Sequence, residues 1–221
     1  MTSEDIQLAL NAAREELARA MKALAPKHKR GEWERYRIAH DKCIALERDL
    51  ARATGDECAV DIDWAAPWDV GAPLPHVIAG FRTFVVYHQR ERDPNWDGSY
   101  ATPVDPAAPE HRLIAVVEFR RCLIHRFGMP NDEALHGHRL FGRGLVAYRA
   151  HTVERSRWLD EVERINSVHP QHRPESFHDF VHYVLAFHDQ TFECLAKDFV
   201  LHESLSTFSE ALQRCALDVL G

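Results

Sequence analysis

Apolar positions recur at spacings of three and four through the first quarter of the chain, and the spacing then shortens to two. Ile6, Leu10, Ala13, Leu17, Ala20 and Leu24 form one stripe, and Tyr36, Ala39, Cys43, Leu46, Leu50 and Ala53 form a second. A single apolar stripe with charged residues around the rest of the circumference is the pattern of an amphipathic helix. Pro26 closes the first helix, the basic stretch Pro26 to Gly31 makes the turn, and Gly55 stands where a C-terminal cap belongs. Residues 1–57 are therefore expected to form an antiparallel helical hairpin. Its stripes are narrow and rich in alanine, so it needs a second surface, in the same chain or another, to cover it.

Beyond residue 57 the pattern favours strands. Phe81 to His88 and Leu113 to Ile124 are rich in β-branched and aromatic residues, and Ala147 to Glu154 has the same character. The segment between the first two, residues 91–112, has four prolines and reads as a long irregular loop. Ser156 is placed to cap a short helix with Trp158, Val162 and Ile165 on one side. Val181 to Ala196 reads as a hairpin. If Phe187 faces Phe192, then Val181, Tyr183, Leu185, Phe187, Phe192, Cys194 and Ala196 share a core face. The opposite face, with His182, Val184, Ala186, Glu193, Leu195 and Lys197, is mixed and expected to be partly exposed. Leu205, Phe208, Leu212, Cys215 and Val219 make a last amphipathic helix, with Thr207 and Glu210 at capping-box spacing. The expected fold is α+β, a mainly antiparallel sheet with packed helices in residues 58–221, preceded by the hairpin.

Charge separates the same two parts. The chain of 221 residues carries a formal charge of -7, yet residues 1–57 hold 11 basic and 11 acidic side chains, leaving 16 against 23 for the remainder. An acidic balance argues against nonspecific nucleic-acid binding, which draws on a basic surface to displace counterions. The longest apolar runs are only a few residues, well short of the roughly 20 that a membrane-crossing helix needs. The N-terminus opens on acids, without a basic segment and apolar stretch, so no signal peptide is read and a cytosolic protein is expected. Five cysteines, odd in number and without a CxxC pair, suggest reduced thiols instead of a disulfide framework.

Candidate chemistry concentrates in Gly128 to Gly144, where Asn131, Asp132, Glu133, His136 and His138 fall within eight residues. The chain has 15 histidines, and histidine is both the commonest metal ligand and the usual acid or base near neutral pH. A divalent metal would need three or four donors, for which His136, His138 and His188 are the candidates. Asp132, Glu133, His138, His188 and Glu193 are the candidate catalytic residues, and Asn131, Asp189, Trp68 and Trp96 the candidate binding residues. The competing assignment has Asn131, Asp132 and Glu133 capping backbone amides and the histidines making structural hydrogen bonds. It also has the tryptophans covering one end of the core. Cys194 lies near His188 and Glu193 in sequence but points inward, where a thiol is inert packing. HExxH, GxSxG, a P-loop and GxGxxG are all absent from the sequence.

Five phrases occur in order: WDVGAPLP (Trp68 to Pro75), VVEFRRC (Val116 to Cys122), FGMPNDEALHGHRLFGRGL (Phe127 to Leu145), SRWLDEVERINSVH (Ser156 to His169) and HYVLAFHDQTFECLA (His182 to Ala196). Together they resemble a family of small uncharacterised bacterial proteins over roughly residues 68–196. The resemblance brings no activity and no catalytic residue with it. The chain departs from it at one point, where Arg139 follows His138 in place of an expected proline. The hairpin lies outside the resembling region.

Two functions are then expected. One is a cytosolic binding or protein-interaction protein, of accessory or immunity type, engaging a protein partner through the hairpin. The alternative is a small metal-assisted enzyme built on the 128–144 loop and the 188–193 hairpin. Self-association into a homodimer through the helical hairpin could accompany either.

Overall fold

A computed structural model describes residues 1–24, 30–91 and 104–219. Pro26, Trp96 and Asp97 lie outside the described residues. The chain divides into two compact units. One comprises Met1–Val60, His138–Leu145 and Val153–Arg157, and the other Asp61–Gly137, Val146–Thr152 and Trp158–Gly221.

In the first unit, helices α1 (Ser3–Leu24) and α2 (Arg30–Thr54) pack along their lengths, as the two stripes require. Ile6, Leu10, Ala13, Ala39 and Cys43 are buried between them, and Arg14 to Glu47 and Lys42 to Glu16 link the helices at 3.1 and 2.8 Å. Thr2 and Asp5 cap the start of α1 reciprocally. Gly55, at φ +76°, ends α2 in a Schellman arrangement, with Gly55 N–H donating to Arg52 O and Asp56 N–H to Ala51 O. The loop His138–Leu145 is tied to α2 by Arg48, which donates to Ala59 O at 2.8 Å and Gly144 O at 3.0 Å. Gly144 sits at φ +90°, and a Cβ there would lie 2.4 Å from Ala59 O. Only glycine fits that approach.

The fold is α+β, with two antiparallel sheets. Five strands, β1 (Cys58–Asp61), β5 (Ile124–Gly128), β6 (Ala150–Glu154), β7 (Val181–Ala186) and β8 (Thr191–Ala196), form a sheet in the order β1-β6-β7-β8-β5. Four strands, β2 (His76–Ala79), β3 (Thr83–His88), β4 (Arg112–Arg120) and β9 (Asp198–Ser206), form the other in sequence order. Their facing sides make one core. Val85, Tyr87, Val117 and Phe119 meet Tyr183, Leu185, Phe192 and Cys194, with Trp68 and Phe187 at one end. Helix α4 (Phe208–Asp218) covers the other side of the four-stranded sheet through Phe208, Ala211 and Cys215. Thr207 and Glu210 form the expected capping box.

Four expectations need correction. Leu113 to Ile124 is two strands, because the chain turns at Arg121, φ +51°, and β5 joins the other sheet. Leu205 belongs to β9 and is exposed, while the helix begins at Phe208. In the β7–β8 hairpin Leu185, not Phe187, faces Phe192, since the loop Phe187 to Gln190 closes with Phe187 N–H donating to Gln190 O at 3.0 Å. A shift of two residues preserves the faces, so the expected core set stands. The opposite side of this hairpin is not partly exposed. His182, Val184, Glu193 and Leu195 are buried, and Trp158 of helix α3 (Arg157–Asn166) meets the ring of His182 edge-on at 5.1 Å. Ile165, by contrast, is exposed.

Candidate functional site

The hairpin loop after β7 meets the polar segment after β5. Asp132 N–H donates to His188 O at 2.9 Å, and Thr191 Oγ1 donates to Pro130 O at 2.8 Å. His188 Nδ1 stands 3.1 Å from Asp189 Oδ1 and 3.7 Å from Asp132 Oδ1. Tyr148 completes the group: its hydroxyl donates to Asp132 Oδ2, and its ring meets that of His188 edge-on. Tyr148 has φ +62°, a conformation that costs a bulky residue and is held only where the surroundings fix it. Burial, then the bond to Asp132, push the Tyr148 hydroxyl up to about 12, so it remains a proton donor at neutral pH. The structure thus joins Asp132, His188 and Asp189 as a solvent-reaching imidazole between two carboxylates, 38% exposed at its side chain.

The remaining sequence-derived candidates are elsewhere. Asn131 Oδ1 accepts from Ala134 N and Asp132 Oδ1 from Glu133 N, which is the capping alternative. His136 Nδ1 lies 3.0 Å from Glu133 O, and Leu140 N–H donates to His138 Nδ1 at 3.2 Å. Among the described residues no three His, Cys, Asp or Glu side chains come together as a metal-holding group, so His136, His138 and His188 do not assemble as expected. Arg139 pairs at 3.3 Å with Glu57, a carboxylate 2% exposed that also accepts from Arg157 N. Trp68 is buried against Phe187 and Tyr87 and covers the core end.

Glu193 is not at the loop cluster. On the side of the five-stranded sheet facing Trp158 it lies 2.9 Å from His182 Nε2, with the two side chains 9% and 0% exposed. The same side carries a second pair: His151 Nε2 accepts from Val146 N at 3.2 Å and faces Asp61 Oδ1 at 3.1 Å, while Arg149 donates to Asp61 Oδ2 at 2.8 Å. One cross-strand row, His151, Val184, Glu193 and Arg126, connects the pairs. Arg126 lies over the Trp158 ring at 4.2 Å. The alternation of β7 and β8 already put His182 and Glu193 on one side. Asp61, Tyr148 and His151 left no comparable signal, because their partners are remote in sequence.

The hairpin unit offers a different kind of surface. Met21, Trp33 and Ile38 are 55%, 61% and 57% exposed, and Trp33 stacks on Tyr36 at 5.3 Å. A groove of about 300 Å³ is lined by Ala20, Ala23 and Ile38 together with Glu16, Arg19, Glu32 and Arg35. No helix among the described residues is long and apolar enough to cross a membrane. Comparisons with protein-family models, with curated proteins and with solved structures return no match to this chain.

Proposed function

We propose that this protein acts by binding, that its N-terminal hairpin is the protein-interaction surface, and that a second copy of the chain occupies it. The groove carries the reading. Its apolar residues, Ala20, Ala23 and Ile38, are accompanied by two acids, Glu16 and Glu32, and two bases, Arg19 and Arg35. A twofold arrangement sets each patch against itself, so balanced charge lets acid face base, and the small Ala20 permits close approach. The exposed Trp33 adds the aromatic area typical of interfaces. Five free thiols support a cytosolic setting.

Sedimentation velocity over a wide concentration range tests this reading. The full chain should sediment as a dimer, and Ile38→Asp as a folded monomer. A monomeric full chain at all concentrations would remove the proposal.

A second reading draws on Tyr148, Asp132, His188 and Asp189. An imidazole oriented by carboxylates and reaching solvent has the chemistry of a general acid or base. Hydrolysis of a panel of simple esters and amides, lost in His188→Gln, would support it; no turnover by the wild-type protein of any member would count against it.

A further inference from the structure

Of the five cysteines, Cys43, Cys58, Cys194 and Cys215 are buried, and Cys122 reaches the surface in part. Cys122 follows Arg121, where the chain turns from β4 into β5, and its side chain packs against the core cluster that contains Cys194. Backbone bonds hold this corner against the end of β8: Leu123 N–H donates to Leu195 O at 2.8 Å, and Lys197 N–H donates to Arg120 O at 3.0 Å. At that corner the two thiols meet. The Cys194 thiol donates to Cys122 Sγ, the Thr83 side chain bonds to the same sulfur, and Ile124 O lies 3.4 Å from it. Cys122 is thus the outer member of a contacting pair.

The pair is asymmetric. The bond from Cys194, against the opposing effect of burial and with smaller help from Thr83 and the Ile124 backbone, brings the Cys122 thiol down to about 7. Burial, and then the bond to Cys122, push Cys194 well above the ordinary thiol value. Burial raises Cys43, Cys58 and Cys215 as well. The thiolate is the form that attacks an oxidant, so exposure and charge state both select Cys122 for oxidation. Cys194, enclosed and out of reach of an oxidant, is in place to react with whatever forms on its neighbour.

We propose that Cys122 and Cys194 form a peroxide-responsive thiol pair, in which oxidation at Cys122 is resolved by Cys194 into a disulfide. In the first step the Cys122 thiolate attacks one oxygen of the peroxide and the O–O bond breaks. The departing hydroxide takes up the proton that Cys122 had released, leaving a sulfenic acid and water. In the second step the Cys194 sulfur attacks the Cys122 sulfur, the S–O bond breaks, and the Cys194 proton leaves with the hydroxyl as water. The two thiols lose two electrons and the peroxide gains them, giving one disulfide and two waters. The link fastens the start of β5 to β8, and a reducing setting reverses it. Both cysteines lie in the second unit, so this proposal stands apart from the hairpin reading.

The test treats the reduced full-length protein with hydrogen peroxide, removes the excess with catalase, blocks the remaining thiols with iodoacetamide in denaturant, and maps the unreduced tryptic peptides by mass spectrometry. A peptide linking Cys122 to Cys194, abolished by dithiothreitol, is expected, with Cys43, Cys58 and Cys215 recovered as alkylated thiols. In Cys194→Ala the oxidation should stop at the sulfenic acid, captured on Cys122 by dimedone. Alkylation of the untreated native protein supplies a second readout, in which Cys122 should react roughly tenfold faster than Cys43, Cys58 or Cys215 at neutral pH. A wild-type Cys122 that survives peroxide unoxidised, one that stops at the sulfenic acid, or a link formed among the other cysteines instead would each overturn the proposal. So would a folded Cys122→Ser variant in which Cys194 is oxidised as readily as in the wild type.

Discussion

In the helical hairpin Trp33 and Ile38 stand more than half exposed, whereas in the five-stranded sheet His182 and Glu193 are almost wholly enclosed. The outer face of the hairpin leaves apolar groups outside, and the five-stranded sheet takes ionisable groups inside. Each departs from the usual partition, but the energetic consequences differ. An exposed apolar side chain forgoes a favourable burial, and the folded chain tolerates that readily. An enclosed acid or imidazole is tolerated only while its partner is present. The hairpin surface is therefore free to change without unfolding anything, and the sheet pairs are not. The first arrangement suits recognition, and the second fixes a structure.

The largest effect should come from breaking a buried pair. Glu193→Ala leaves His182 enclosed without its carboxylate and should cost about 3–5 kcal/mol in urea denaturation. Replacing both, as His182→Leu/Glu193→Leu, should recover much of that loss. A single-variant cost below about 1 kcal/mol would mean that the sheet tolerates the unpaired group as easily as the hairpin tolerates its exposed ones. Next in size is Gly144→Ala, which forces a Cβ against Ala59 O and Arg48 at positive φ, and should cost about 1–3 kcal/mol by thermal unfolding.

A smaller effect is read through pH. The bond from Arg82 holds the Glu118 carboxyl below its ordinary value, with 2.6 and 2.8 Å contacts to the guanidinium. Its contribution is present above the unfolded carboxylate pKa of about 4.3 and is lost as pH falls through the lower folded value. The stability of Glu118→Gln should therefore fall less steeply than wild type below about pH 4, measured by urea denaturation across that range. Smallest of all, Ile38→Asp should change monomer stability by no more than about 0.5 kcal/mol while abolishing association. A loss of several kcal/mol would show that the exposed face is structural after all.

The helical stripes were legible because a period near 3.6 survives any tertiary context, and Gly55 and Thr207 marked their ends through local geometry. The β7 and β8 faces were legible for the same reason, even with the pairing displaced by two residues. The contact of Trp158 with His182 could not be read. Nothing in the alternation of His182 and Glu193 tells which side of a sheet will be enclosed. Strand β9 escaped notice because DFVLHESLS is largely polar and owes its place to pairing with β4. At the site, Asp132, His188 and Asp189 were found by residue type, while Tyr148 was missed because its partner Asp132 is remote in sequence. Proximity in sequence put His136 and His138 together, but among the described residues no metal-holding group forms, and the Nδ1 atom of each meets a local backbone group.

The nine-residue ladder between β4 and β9 has a bearing on synthesis. A ribosome releases Arg112–Arg120 long before Asp198–Ser206, so the outer border of β4 must wait, with its backbone amides and carbonyls uncovered, for a strand far downstream. The helical hairpin, made of neighbours in sequence, is complete well before then. A nascent chain halted before Asp198 would present an open strand border to its neighbours on the same polysome, the circumstance in which chaperone engagement matters most.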